Sequence, residues 1–201
     1  MYEYTDKVLA YLKKRFIRAY RRLKTRLNFD ELNTLEAVDE CYDGNYTEVR
    51  RKYLEIAKHA YYSAGGKSDS VITYIWLDKI LNSYDPATKY VFNHEVERKK
   101  ARAFESIEAS PTKKEKYKQA DIALRYWWGQ SKQYADEVTD KATIKAYKDM
   151  GITAVRWNTE NDTRVCAECA RRHGKVFLID RIPPKPHIGC RCWFTPVRTE
   201  K

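Results

Sequence analysis

The sequence predicts an α+β fold that is mainly α-helical, with a helical region over residues 1–150 and a small β-containing module over residues 151–201. Three observations lead there. Apolar residues recur at helical spacing between capping signals as far as Met150. β-Branched and aromatic runs follow Gly151, Gly174 and Cys192. Four of the five cysteines fall between residues 166 and 192. A bound metal would staple this last unit, which is too small for an ordinary core.

The first helix is marked by charge as well as by period. The 201 residues include 39 Lys and Arg against 28 Asp and Glu, a net charge of +11. Residues 1–28 hold nine basic groups against two acids, residues 162–201 nine against four, and the long middle 21 against 22. From Lys7 to Arg26 no acid interrupts Lys7, Lys13, Lys14, Arg15, Arg18, Arg21, Arg22, Lys24 and Arg26. Val8, Leu12, Phe16, Ala19, Leu23 and Leu27 form one apolar stripe, and the cations cover the rest of the cylinder. Like charges at i,i+4 cost a few tenths of a kcal/mol per pair, roughly. Such a helix therefore calls for acids elsewhere in the fold, an acidic protein surface or nucleic acid. Lys13, Lys14, Arg15, Arg18, Arg21, Arg22, Lys24 and Arg26 are the candidate DNA contacts.

Asn28 or Asp30 ends this helix and caps a second one, which carries Leu32, Leu35 and Val38 and stops near Asp43-Gly44. Asn45 with Glu48 three residues on reads as a capping box. It opens a helix with Val49, Tyr53, Ile56, Ala57, Ala60 and Tyr61 on one face, ended by Gly65-Gly66. Ser68 or Asp69 caps an apolar segment from Val71 to Leu81. Asp85-Pro86 and Ser110-Pro111 each supply a cap followed by Pro at the first helical position. The last segment runs toward Met150, with Gly129 as a point of division and Gly151 as the C-terminal cap. Five to seven helices result. Trp127 and Trp128 point about 100° apart on a helix, which favours core or helix-interface packing over a base-stacking platform. Cys41 reads as a small core residue.

In the module, Ile152–Trp157, Val176–Ile179 and Trp193–Thr195 are the candidate strands. Cys166 and Cys169 form C-x2-C, and His187, Cys190 and Cys192 form H-x2-C-x-C after 17 intervening residues. Two short-spaced ligand pairs across such a loop match a tetrahedral Zn²⁺ site. Five candidates compete for four places. The i,i+3 spacing of His187 and Cys190 mimics the reach of the C-x2-C pair. That favours Cys166, Cys169, His187 and Cys190, with Cys192 as the substitute. Pro183, Pro184 and Pro186 stiffen the approach, and Gly189 allows a tight turn.

A thiolate-rich site with four protein ligands is closed and structural. No H-E-x-x-H, deaminase pattern, P-loop or dinucleotide fingerprint occurs. The chain is therefore expected not to be an enzyme, with Glu168 solvated and His59, His94 and His173 in surface or packing roles. No apolar run approaches the roughly 18 residues of a membrane span, and no secretory signal opens the chain. The expectation is a cytosol, or a particle assembled there.

The stretch from Trp157 through Cys166 and Cys169, then Gly174-Lys175-Val176-Phe177, Pro184, His187 and Cys190-Arg191-Cys192, resembles the C-terminal signature of the phage Mu protein F-like family. These are phage head morphogenesis proteins, also called minor capsid or minor head proteins. The resemblance covers roughly residues 150–198, and the helical region is similar only in kind. His173 before Gly174, and Ile188-Gly189 after His187, depart from the family pattern without removing a ligand candidate. The resemblance implies a non-enzymatic virion component inside the head, assembled in the bacterial host cytoplasm and acting in head assembly and DNA packaging or delivery. Its implied partners are the portal protein, other capsid components and double-stranded DNA bound without sequence preference, with no membrane and no small-molecule substrate. The alternative from another class is a zinc-ribbon-like nucleic-acid-binding regulator whose 162–201 module reads DNA or RNA. A metal-dependent nuclease is a third reading.

Overall fold

The structure, a computed structural model, describes residues 3–160 and 162–197, and all of their side chains except those of residues 69 and 127–133. The expectation for Trp127 and Trp128 lies outside these described side chains, as does the capping alternative at Asp69. In chain order the elements are α1 (Glu3–Arg26), α2 (Glu31–Ser63), a 3-10 turn (Asp69–Val71), α3 (Tyr74–Leu81), β1 (Tyr84–Asp85), β2 (Tyr90–Val91), α4 (Phe92–Glu108), α5 (Lys113–Leu124) and α6 (Trp127–Asp149). Then follow β3 (Ala154–Asn158), α7 (Ala167–Arg172), β4 (Val176–Leu178) and β5 (Trp193–Val197). The mainly helical α+β class is what the sequence predicts.

α1 buries Val8, Leu12, Phe16, Leu23 and Leu27, but Tyr20 rather than Ala19 fills the remaining place in the stripe. Phe29 takes a left-handed φ of 67° at the bend. Asp30 then caps α2 by accepting the Asn33 N–H at 2.8 Å.

The expected break at Asp43-Gly44 does not occur: α2 runs through it for 33 residues. Leu32 and Leu35 are exposed, while Val38, Cys41, Tyr42, Asn45, Val49, Tyr53, Ile56, Ala57 and Ala60 form one buried face on both sides of Gly44. Burying each large apolar side chain contributes roughly 1.5–3 kcal/mol, which outweighs the roughly 1 kcal/mol cost of one helical Gly. The capping box is accordingly not one. Asn45 donates to the Cys41 sulfur at 3.4 Å, and Glu48 pairs with Arg51 at 2.7 Å.

The Pro signals also resolve differently. Asp85-Pro86 opens a hairpin between β1 and β2, because the Asp85 carboxylate accepts the N–H groups of Ala87 (3.0 Å) and Thr88 (3.2 Å) and closes a turn on itself. The following helix starts only at Phe92. Thr73, not Ser68, caps α3, and Thr112 caps α5 one residue beyond Pro111. The last helical segment divides at Arg125-Tyr126, ahead of Gly129. Gly151, at φ 76°, terminates α6.

α2 and α6 form the centre of the helical body, flanked by α1, α4 and α5. Phe92 packs on Tyr134 and Tyr53 with ring centroids 4.4 and 6.0 Å apart. A second core lies around β3, the middle strand of an antiparallel β4-β3-β5 sheet. It gathers Val155, Trp157, Ile179 and Phe194 with three cysteines, and takes Tyr147 from α6. The Tyr147 hydroxyl donates to the Phe194 carbonyl at 3.2 Å. Among the described residues no helix is long and apolar enough to cross a membrane.

Candidate metal centre and basic helix

The chain builds the cysteine site from two local devices. Cys166 is the N-cap of α7, its sulfur accepting the Cys169 N–H at 3.4 Å, so one helical turn sets the second sulfur beside the first. On the far side, Gly189 at φ 71° lets the chain reverse between His187 and Cys190. Lys185 holds the approach to that turn against α6 through Asp140 at 2.5 Å, with the two side chains only 10% and 8% exposed. Burial opposes the Lys185 charge, but Asp140 more than offsets it and the pKa is raised.

Two triads of donor atoms result, Cys166 with Cys169 and His187, and Cys169 with Cys190 and Cys192, each within 4.8 Å. Cys169 belongs to both. Its sulfur lies 3.7 Å from His187 Nε2 and 3.5 Å from the Cys190 sulfur. Thiolates about 2.3 Å from a tetrahedral zinc stand roughly 3.8 Å apart, so the spacing fits. His187 Nδ1 lies 3.0 Å from the Ile188 carbonyl, which only accepts, so Nδ1 carries the proton and the Nε2 lone pair faces the thiols.

All five sequence candidates are thus brought together. Cys192, the substitute in the sequence reading, lies with Cys190 and Cys169 in one group, both Cys190 and Cys192 belonging to the loop that precedes β5. A hydrogen bond from Cys190, then others from Thr159 and Cys169, draw the Cys192 thiol down to about 5. Cys190 is pushed up as the donor in that bond and by burial. Burial first of all pushes Cys169 up to about 12, while the Cys169 N–H lowers Cys166. The two thiols with lowered pKa, Cys166 and Cys192, thus fall one in each triad.

The loops are strapped together by Arg191, whose guanidinium grips Asp162 at 2.8 and 2.5 Å and holds that carboxyl well below its usual range. Glu168 accepts from Arg172 at 2.9 Å and from Arg171. Arg172 also lies 4.9 Å from the Trp157 ring centroid and donates to the Pro184 carbonyl. His173 accepts the Thr159 N–H at 3.2 Å, and His59 stacks on Tyr4 at 4.0 Å. Sequence reasoning missed α7, although Glu168 in its first turn and Arg171 and Arg172 in its last were a legible helix signature. Nothing local signalled the long-range pairs of Asp140 with Lys185 and Asp162 with Arg191. Cys41 is buried as expected, and burial pushes its thiol up to about 12.

On α1 all eight candidate DNA contacts are exposed. Arg26 pairs with Glu40 at 3.1 Å and Lys24 with Asp121 at 3.4 Å. Lys13, Lys14, Arg15, Arg18, Arg21 and Arg22 make no ion pair among the described residues.

Residues 102–195 match the model of the family described as Phage Mu protein F like protein. No curated protein and no solved structure matches the chain. The matched stretch starts within α4 and takes in α5 and α6, well ahead of the signature read from the sequence. It therefore contains both Asp140 and Lys185, the pair that ties helix and module together.

Proposed function

We propose that this chain, whose residues 102–195 are Phage Mu protein F like, is a minor capsid protein of a phage head. In this reading it is internal and portal-associated, contacts other capsid components, and acts in head assembly and in DNA packaging or delivery. The family match carries the reading. An asymmetric reconstruction of the phage head tests it: density for this chain at the portal vertex inside the shell is expected, and its absence from both procapsid and virion would refute the proposal.

Within it, the cysteine site holds one structural zinc through Cys169, His187 and two more of Cys166, Cys190 and Cys192. Thiolate and imidazole bonds supply the cross-links that the small core of the module lacks. Catalysis is not expected, because Glu168, the acid between the first two ligands, is engaged by Arg171 and Arg172. Incubation with duplex and single-stranded DNA and divalent metals should give no turnover.

The DNA contact proposed is α1. Four of the six described module arginines pair with acids, Arg164 and Arg191 with Asp162 and Arg171 and Arg172 with Glu168, whereas six of the nine α1 cations make no ion pair among the described residues. This contrast favours α1 over the regulator reading, in which the module itself would read bases. Phosphate contacts without base contacts give binding that is steeply salt-dependent and indifferent to sequence. One sequence bound far more tightly than random competitor would point to the regulator instead.

A further inference from the structure

We infer that the cysteine site can exchange its single zinc for two soft monovalent ions of the copper(I) class, bridged by the Cys169 sulfur. The inference rests on the reading of the cluster as a metal centre and concerns which ions it takes and how many. Zinc needs four donors around one point. The chain supplies five, and they do not form one cage. Cys166, Cys169 and His187 offer ligand atoms within 4.8 Å of one another, as do Cys169, Cys190 and Cys192, but no four of the five do. In a tetrahedral site every pair of ligand atoms stands roughly 3.8 Å apart. One zinc with four of these ligands therefore has to draw one triad toward the other by about 1 Å or more.

A pair of three-coordinate ions needs no such movement. Ligand atoms about 2.3 Å from an ion in a flat trigonal arrangement stand roughly 4.0 Å apart. The Cys169 sulfur lies 3.5 Å from the Cys190 sulfur and 3.7 Å from His187 Nε2. Copper(I) is a soft ion selected by thiolates, accepts three ligands in a plane, and shares a thiolate between two ions. One ion then takes Cys166, Cys169 and His187, and the other takes Cys169, Cys190 and Cys192. Four sulfurs release four protons, so two monovalent ions leave the site with two negative charges. Lys185 and Arg191 lie within electrostatic reach of Cys190 and Cys192 and offset that charge. The triads also differ in access. Cys169, Cys190 and Cys192 are 3%, 3% and 1% exposed, whereas Cys166 is half-buried, which makes the first triad the entrance.

The test uses the full chain, reduced and kept free of oxygen, with zinc or copper(I) as the probe and native mass spectrometry to count bound ions. Wild type should carry one zinc. Titration with copper(I) delivered from a weak chelator should expel it and saturate at two ions per chain, with X-ray absorption showing three-coordinate copper and scattering from a second copper. Cys41→Ser should change neither count, because Cys41 is buried in the separate core of the helical body. Cys190→Ser with Cys192→Ser leaves one triad, and Cys166→Ser with His187→Ala leaves the other. Each double variant should keep one copper(I) and lose zinc, whereas a single four-ligand site would lose both. Cys169→Ser should abolish the copper-to-copper scattering. Where hydrogen exchange shows the module of a variant to be unfolded, the wild-type count and scattering decide. One zinc but only one copper(I) per wild-type chain, or two without copper-to-copper scattering, overturns the inference and leaves the zinc reading standing. A chain that takes up neither ion defeats both.

Discussion

The helical body and the cysteine module solve the same problem with different means. The body buries an extended set of apolar side chains from α1 to α6, including Leu12, Phe16, Tyr53, Ile56, Leu77, Phe92 and Tyr134 at 1% exposure or less. The module has eight buried residues in its cluster, of which three are cysteines and one, Tyr147, comes from α6. Four apolar side chains of its own cannot offset the ordering of some 45 residues at roughly 1–2 kcal/mol each. One region is thus held mainly by apolar packing, and the other by packing, docking onto α6 and, in our reading, metal.

The largest expected effect breaks the comparison at Cys169, which both triads share. Cys169→Ser, or a strong chelator, should release the metal and unfold the module while the far-ultraviolet helical signal stays largely intact. Hydrogen exchange read segment by segment checks this, and loss of protection throughout α2 would show that the two regions are not separable. Cys190→Ser and Cys192→Ser should each do less, because either thiol can leave the site with four donors. A Cys169→Ser protein that retained full zinc content would refute the shared-ligand geometry.

Next is the docking pair. Asp140→Asn leaves Lys185 buried without its main counter-charge, and breaking a buried pair by removing one partner costs about 3–5 kcal/mol. Thermal unfolding should fall accordingly, with module protection lost before that of α2. Replacing both, Lys185→Met with Asp140→Leu, should recover most of the loss if the pair serves docking alone.

Acid should separate the regions by pH. Metal ligation competes with protons on thiolate and imidazole, so zinc release is expected at a higher pH than melting of the helices. In the body, hydrogen bonds from Lys145 and then Tyr61 hold Asp149 below the ordinary carboxylate value of 3.8. Its folded pKa is depressed, so its contribution is present above 3.8 and is lost as pH falls through the lower folded value. Asp149→Asn should therefore weaken the body at neutral pH and leave its stability unchanged at the acid end. Equal losses at both ends would assign the effect to packing.

The smallest effect sharpens the comparison within the body. A Cβ at Gly44 meets nothing within 4 Å, and the residue is helical, so Gly44→Ala should stabilise α2 by about 1 kcal/mol. Gly151→Ala, at φ 76° where α6 passes into the module, should destabilise by a similar amount, roughly 1 kcal/mol. Denaturant midpoints distinguish the two signs.

How far the sequence alone could be read follows from what each feature depends on. The α1 stripe, the Asp30 cap, the Gly65 and Gly151 terminations and the three strands were legible, because each rests on local backbone preference and a single burial period. The five donors were legible because metal ligands recur at short spacings, and the charge split because charge needs no fold. Only the tertiary structure carried α2 through Gly44, since packing on α1, α4 and α6 outweighs one weak helical residue. It also turned Asp85-Pro86 into a hairpin and brought Cys192 beside Cys190 through a loop. Asp140 and Lys185, 45 residues apart, meet because α6 passes beneath the module, and a buried pair at that separation leaves no trace in local sequence. The physical reason is the same throughout: caps and periods act within one turn or one strand, whereas burial depends on what the rest of the chain sets against them.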